Sequence, residues 1–218
     1  MNLIQRIEED FNQLQVHPNA RKKFMPYLEA LKNKDEPTFE HSVRVAYLAK
    51  DIAEFTHLVP QKTLWLPGLV HDMGKLLIRP EVLKKIVGFN EEDRQEMRNH
   101  VEYGCKMLLG VADFSALTLF YHHYFKAKEA YPSPEDFFRI FGTRFDSWTE
   151  GTRTLAKYCG RLISIADFYD AMTTRKNDKF SPGELKTINP RELKEKVIAE
   201  NDDQEYLIEQ LYSGGILR

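Results

Sequence analysis

The chain has 218 residues, 42% of them hydrophobic and 29% charged, enough to bury a core in one domain or in one domain with a small appendage. A formal net charge of -2 excludes the global basic field that holds nucleic acid, so no DNA partner is expected. The polar opening Met1–Asp10 lacks the apolar run of a signal peptide, no stretch is long enough to span a membrane, and Cys105 and Cys159 have no pairing pattern; the expectation is a cytoplasmic protein with buried, reduced thiols.

Helical periodicity dominates from the start. Leu3, Ile7, Phe11 and Leu14 recur at the spacing of an amphipathic first helix. Ala20 to Lys32 reads as a second, which Pro26 must kink or split. Thr38 is the expected N-cap of a long helix reaching about Thr56, with Val45, Leu48, Ala49, Ile52 and Phe55 buried. Pro60 starts a shorter helix that runs into Leu69-Val70-His71-Asp72 and stops at Gly74. Pro80 starts another, ending at Gly88. Asn90 caps a charged helix through His100 to Leu109, ended by Gly110, and Asp113 caps Phe114 to Tyr124. Ser133-Pro134-Glu135-Asp136 is a helix start, Ser147 or Thr152 begins a strongly apolar helix to about Thr173, and Ser181-Pro182-Gly183-Glu184 has capping-box spacing. The tail from Pro190 carries one or two further amphipathic helices. No alternating strand is visible, and neither is a repeat or a flexible linker. An all-α bundle of about ten helices is expected.

The chemistry-bearing residues lie on these helices. His71-Asp72 closes an apolar run and is followed by Gly74-Lys75; an adjacent His and Asp at a helix end can reach one metal, and the carboxylate has a second oxygen for another. His122-His123 is a second adjacent pair; neighbours on a helix diverge by about 100°, so both converge only at a helix end or a cavity. His41, His100 and Asp167 each sit in a helix with an apolar face. Neutral imidazoles with carboxylates suit zinc, iron, manganese or nickel rather than calcium. Taken singly, each has a plainer reading. A histidine on an apolar helix is more often a hydrogen-bonded core residue, His122-His123 alone could end a helix in solvent, Asp167 could be a cap or an ion-pair partner, and Lys75 a surface charge. His17 and His57 are assigned that plainer role.

Together the residues form an ordered set. His41-Ser42-Val43-Arg44-Val45 resembles the first motif of the HD-superfamily phosphohydrolases, and His71-Asp72-Met73-Gly74-Lys75 is similar to the signature that names them. His100-Val101-Glu102-Tyr103-Gly104 looks like the His-Pro-x-x-Gly motif of the HD-GYP branch, with Val101 for proline. Ile165-Ala166-Asp167-Phe168-Tyr169-Asp170-Ala171-Met172-Thr173 resembles that branch's last metal motif. The resemblance covers roughly Thr38 to Phe180, and it implies N-terminal helices (1–34) packed on an HD-type domain (35–180) with a C-terminal helical extension (181–218). Two departures stand out. His122-His123 is followed by Tyr124, and the later Lys128-Glu129-Ala130-Tyr131-Pro132 keeps the branch's Tyr-Pro but neither of its glycines. The branch's extra acidic ligand falls on Pro37, flanked by Glu36 and with Glu40 nearby, so two metals are expected rather than three.

The resemblance implies one divalent ion held by His41, His71, Asp72 and Asp167 and a second held by Asp72, His100, His122 and His123, with Asp72 between them. A hydroxide bridging the ions is then the nucleophile. Lys75 either stabilises developing charge and protonates the leaving oxygen, or serves as a supporting salt bridge. Lys176 and Lys179 are candidates for docking a phosphate, and Tyr131 for stacking on a base. The implied function is a phosphodiesterase acting on cyclic di-GMP or a related nucleotide. The alternatives are a phosphatase on another phosphate ester, an inactive module that binds metal or nucleotide and signals through a protein partner, and a di-iron oxygenase. A homodimer is a further candidate assembly.

Overall fold

A computed structural model describes residues 2–85, 87–125, 130–174 and 189–218. Among them eleven α-helices and three short 3₁₀ turns occur, with no strand. The first helix, α1 (Leu3–Gln13), is opened by a capping box between Asn2 and Gln5 and buries Ile7 and Phe11. The second, α2 (Pro18–Lys34), begins with proline in its first turn and runs unbroken through Pro26. Pro26 lies on the exposed face, where solvent can replace the lost backbone hydrogen bond, while Phe24, Met25, Leu28 and Leu31 are buried on the other side. The expected split is absent because packing outweighs local propensity.

The long α3 (Glu36–Thr56) is capped by Asp35, whose carboxylate accepts from the Thr38 amide, so the helix starts one turn before the expected cap. Phe55, expected in the core, is 37% exposed and lies over Gly214 at the chain's other end. The next helix, α4 (Gln61–Val70), is buried on all sides from Leu64 to Val70. It stops one residue before His71, and a 3₁₀ turn, Met73–Leu77, follows. Short α5 (Pro80–Leu83) ends well before Gly88. Asn90 caps α6 (Glu91–Leu108) in a capping box with Asp93.

The helix α7 (Asp113–Phe120) is shorter than its pattern suggested: Ala112 is its N-cap, and residues 121–125 are turn. The carboxylate expected to cap it, Asp113, instead accepts from the Gly110 amide and pairs with Arg144. The remaining helices are α8 (Pro134–Phe141), α9 (Glu150–Thr174), α10 (Pro190–Glu200) and α11 (Glu205–Ser213). The Ser181–Glu184 cap lies outside the described residues.

Two apolar clusters hold the molecule together. The first joins α1, α2, α4, α6, α7 and α8 to one side of α3, with Trp65 edge-on to Phe11 at 5.1 Å between ring centres. The second joins the other side of α3 to α9, α10 and α11 through residues such as Ile52, Ile163, Val197 and Leu211. Cys105 and Cys159 are free and buried. No helix among the described residues is long and apolar enough to cross a membrane.

Candidate metal centre

Five elements deliver polar side chains to one buried point. His41 comes from α3, and His71 and Asp72 from the turn after α4. His100 comes from α6, His122 and His123 from the turn after α7, and Asp167 from α9. All seven are buried. Helix α7 ends at Phe120, which resolves the divergence of the His122-His123 pair. His122 turns its Nε2 inward and His123 its Nδ1, with the two rings 3.9 Å apart between centres.

Close packing at two glycines brings α6 to the His-Asp turn. A Cβ on Gly74 would stand 1.9 Å from the His100 carbonyl oxygen and 2.6 Å from the Gly104 nitrogen. A Cβ on Gly104 would meet the Leu119 side chain at 2.7 Å. At position 74 only hydrogen lets the backbones of His71-Asp72 and His100 approach closely enough to face one another.

Hydrogen bonds fix how the rings present themselves. His71 Nδ1 donates to the Gly68 carbonyl at 2.8 Å, His100 Nδ1 to Met97 at 2.6 Å, and His122 Nδ1 to Leu119 at 2.5 Å. A carbonyl only accepts, so Nδ1 carries the proton and the Nε2 lone pair is left facing the pocket. The Nε2 atoms of His41, His71, His100 and His122 are buried with no hydrogen-bond partner among the described residues. Four such atoms converging in one place would be costly in a purely structural core, because buried polar groups are nearly always paired.

The donor atoms form two groups, each within 4.8 Å internally: His41, His71 and Asp167, and His100, His122 and His123. Asp72 lies between them. Its Oδ2 is 3.4 Å from His71 Nε2 and 3.7 Å from His41 Nε2, and its Oδ1 is 3.5 Å from His100 Nε2. Asp167 Oδ1 is 2.9 Å from His41 Nε2, and its Oδ2 is 3.8 Å from His123 Nδ1. The set is imidazole-rich with carboxylates, the chemistry of a divalent transition-metal site.

The charge state suits a cation. Burial presses the imidazoles of His100 and His122 down to about 3 and about 4, so both are neutral lone-pair donors near neutrality. Burial works against charge on Asp72 as well, but Lys75 and His71 outweigh it and hold the carboxyl well below its usual range. Burial of Asp167 is likewise outweighed, chiefly by His41. Burial opposes a proton on His71, yet Asp72 and Asp167 overcome it and raise its pKa; a metal ion would supply that positive charge instead.

The other expected residues fall as follows. Lys75 is buried, with Nζ 2.6 Å from Asp72 Oδ2. Tyr131 stands beside the pocket, its ring 4.8 Å from that of His123 and 6.3 Å from that of His100, with the Arg98 guanidinium 5.7 Å from its ring centre. Lys176 and Lys179 lie outside the described residues. His17 and His57 have other roles: one accepts from the Asn19 amide to cap α2, the other ends α3 with a left-handed backbone. Sequence reasoning gave Asp170 no role, yet it accepts from His41 Nδ1 at 2.7 Å. The available signal was its position three residues after Asp167, on the same side of α9.

Comparison with known proteins places this arrangement. A family model described as HD domain matches residues 38–172, which contain every residue of the pocket. The chain belongs to the HD domain family. A cyclic di-GMP phosphodiesterase of Pseudomonas aeruginosa is 30% identical over 163 residues, covering 72% of this chain and 34% of that protein. A 3′3′-cGAMP-specific phosphodiesterase of Vibrio cholerae is 29% identical over 145 residues, covering 64% of this chain and 30% of that protein. The chain thus spans about a third of the length of these curated relatives. Among solved structures, the HD domain of the L. monocytogenes phosphodiesterase PgpH superposes with a TM-score of 0.54 at 18% identity, covering 86% of this chain and 87% of that one. The same domain in complex with cyclic-di-AMP superposes with a TM-score of 0.51 at 19% identity, covering 82% of each chain. The HD domain thereby shares the all-helical fold seen here.

Proposed function

We propose that the chain is a metal-dependent phosphodiesterase acting on cyclic di-GMP or a related cyclic dinucleotide. The observation that carries this reading is the convergence of buried, hydrogen-bond-orphaned imidazole nitrogens around Asp72 and Asp167. The relatives support the substrate class, since those matched are phosphodiesterases of cyclic dinucleotides. Two ions are assigned. His41, His71, Asp72 and Asp167 would hold one, and Asp72, His100, His122 and His123 would hold the other. Iron, manganese, zinc and nickel all suit the donors. When bound, such a pair lowers the pKa of coordinated water toward about 7 and polarises phosphoryl oxygens.

The protein groups have distinct tasks. Asp72 offers one oxygen to each cluster and so fixes their separation. Lys75 neutralises and orients that carboxylate through its Oδ2, the supporting salt bridge of its two expected roles. Tyr131, beside the pocket with His123 and Arg98 near its ring, is assigned to stack on a base. Lys176 and Lys179 are assigned to the phosphate on sequence grounds alone.

The test is turnover of cyclic di-GMP, cGAMP, cyclic di-AMP and a bis-aryl phosphate by the manganese- or iron-loaded chain. Cyclic dinucleotide cleavage that vanishes in Asp72→Ala is expected. Metal uptake with no turnover of any of the four would replace this reading with a binding module that signals through a protein partner, a reading favoured by the missing glycines before Tyr131-Pro132.

A further inference from the structure

The histidines of the pocket are not supported alike. His71, His100 and His122 each donate Nδ1–H to a carbonyl three residues earlier, a support built into the same short segment. His41 alone among these four depends on a side chain from another helix, the Asp170 carboxylate of α9. That carboxylate is held in turn by three further hydrogen bonds from two side chains. Arg44 Nε donates to Oδ1 at 2.8 Å, Arg44 Nη2 to Oδ2 at 3.1 Å, and the Thr174 hydroxyl to Oδ2 at 3.0 Å. Arg44 is one helical turn beyond His41 on α3, so one helix supplies both the histidine and the clamp on its support. Arg44 is itself partly exposed, and Asp170 is buried.

We propose that Asp170 is a positioning residue that acts on one metal cluster only, setting the tautomer and orientation of His41 and thereby the affinity of the His41–His71–Asp167 group. The inference rests on the two-ion reading above. A carboxylate accepting from the far nitrogen of a metal-binding imidazole fixes the ring and strengthens it as a donor, and losing such a partner typically weakens metal affinity by about 10–100-fold. The His100–His122–His123 group receives no such support from Asp170, so the effect is confined to one of two sites.

The test is a cobalt(II) titration of the full metal-free chain, followed by visible absorption. The native chain is expected to take up two ions. Asp170→Ala should weaken one of them by about 10–100-fold and leave the other unchanged. Asp170→Asn, which keeps an acceptor for His41 but loses the charge, should fall between. In a His41→Ala background, Asp170→Ala should change nothing further, which a merely structural role would not reproduce. Should Asp170→Ala fail to fold, Arg44→Gln loosens the clamp from a partly exposed position and should weaken the same site by a smaller factor. Two native sites left untouched by Asp170→Ala, or both weakened equally, overturn this inference alone. A native chain that takes up no cobalt overturns the two-ion reading and this inference with it.

Discussion

A neutral imidazole has one donor and one acceptor nitrogen, and in this pocket the donor is spoken for. Because Gly68, Met97 and Leu119 present carbonyls and Asp170 a carboxylate, each of these four rings, in its neutral form, turns an Nε2 lone pair into the pocket, an arrangement that a cation relieves. This has a pH consequence in the metal-free chain. His100 and His122 are lowered to about 3 and about 4 by burial, against an ordinary 6.5, so below 6.5 the unfolded chain binds more protons than the folded one. Their contribution to stability is whole above 6.5 and is lost as pH falls toward those values. His71 is raised instead, so its contribution is present below 6.5 and is lost as pH rises through its folded value; it does not offset the acid loss. The melting temperature of the metal-free chain should therefore fall between pH 6.5 and pH 5, and a flat profile would contradict the buried neutral imidazoles. The residues of the pocket were legible in the sequence because the motifs place them in order. Asp170 was not, since a carboxylate that touches only other side chains leaves no spacing of its own beyond the turn it shares with Asp167.

At the scale of elements, the site depends on how closely the turn after α4 can approach α6. Gly74→Ala would drive a methyl group into the His100 carbonyl, and separating the two backbones should cost about 1–3 kcal/mol in stability and weaken metal uptake as well. Urea unfolding together with a metal titration would check both; an unchanged pair of values would show that α6 can shift freely. Most helices were legible from periodicity and caps, α6 and α8 to within a residue at their starts. Where reading failed, competing interactions decided. Asp35 rather than Thr38 caps α3 because its carboxylate reaches the Thr38 amide. Helix α7 ends early, at Phe120, and frees His122 and His123 to turn inward, a departure from apolar periodicity at the point where the site needs it.

Over the whole molecule, α3 and α9 carry the pocket between two apolar clusters, with the N-terminal helices closing one and the C-terminal helices the other. Their apolar faces were visible in the sequence, but not which side of α3 each would cover. Trp65, fully buried against Phe11, ties α1 to α4; Trp65→Ala should destabilise the chain by about 3–5 kcal/mol while leaving the ligand geometry in place, so that metal uptake at low temperature survives. Loss of uptake without loss of stability would mean that the N-terminal helices shape the pocket directly. Binding confined to the folded state must also stabilise it, by about 2.7 kcal/mol per site at a hundredfold excess over Kd. The most direct test is elemental analysis of the chain loaded with manganese or iron and then desalted, beside its Asp72→Ala variant. Close to two ions per native chain, with a clear deficit in the variant, is the predicted result; a native chain that retains no divalent metal would contradict the account at its centre.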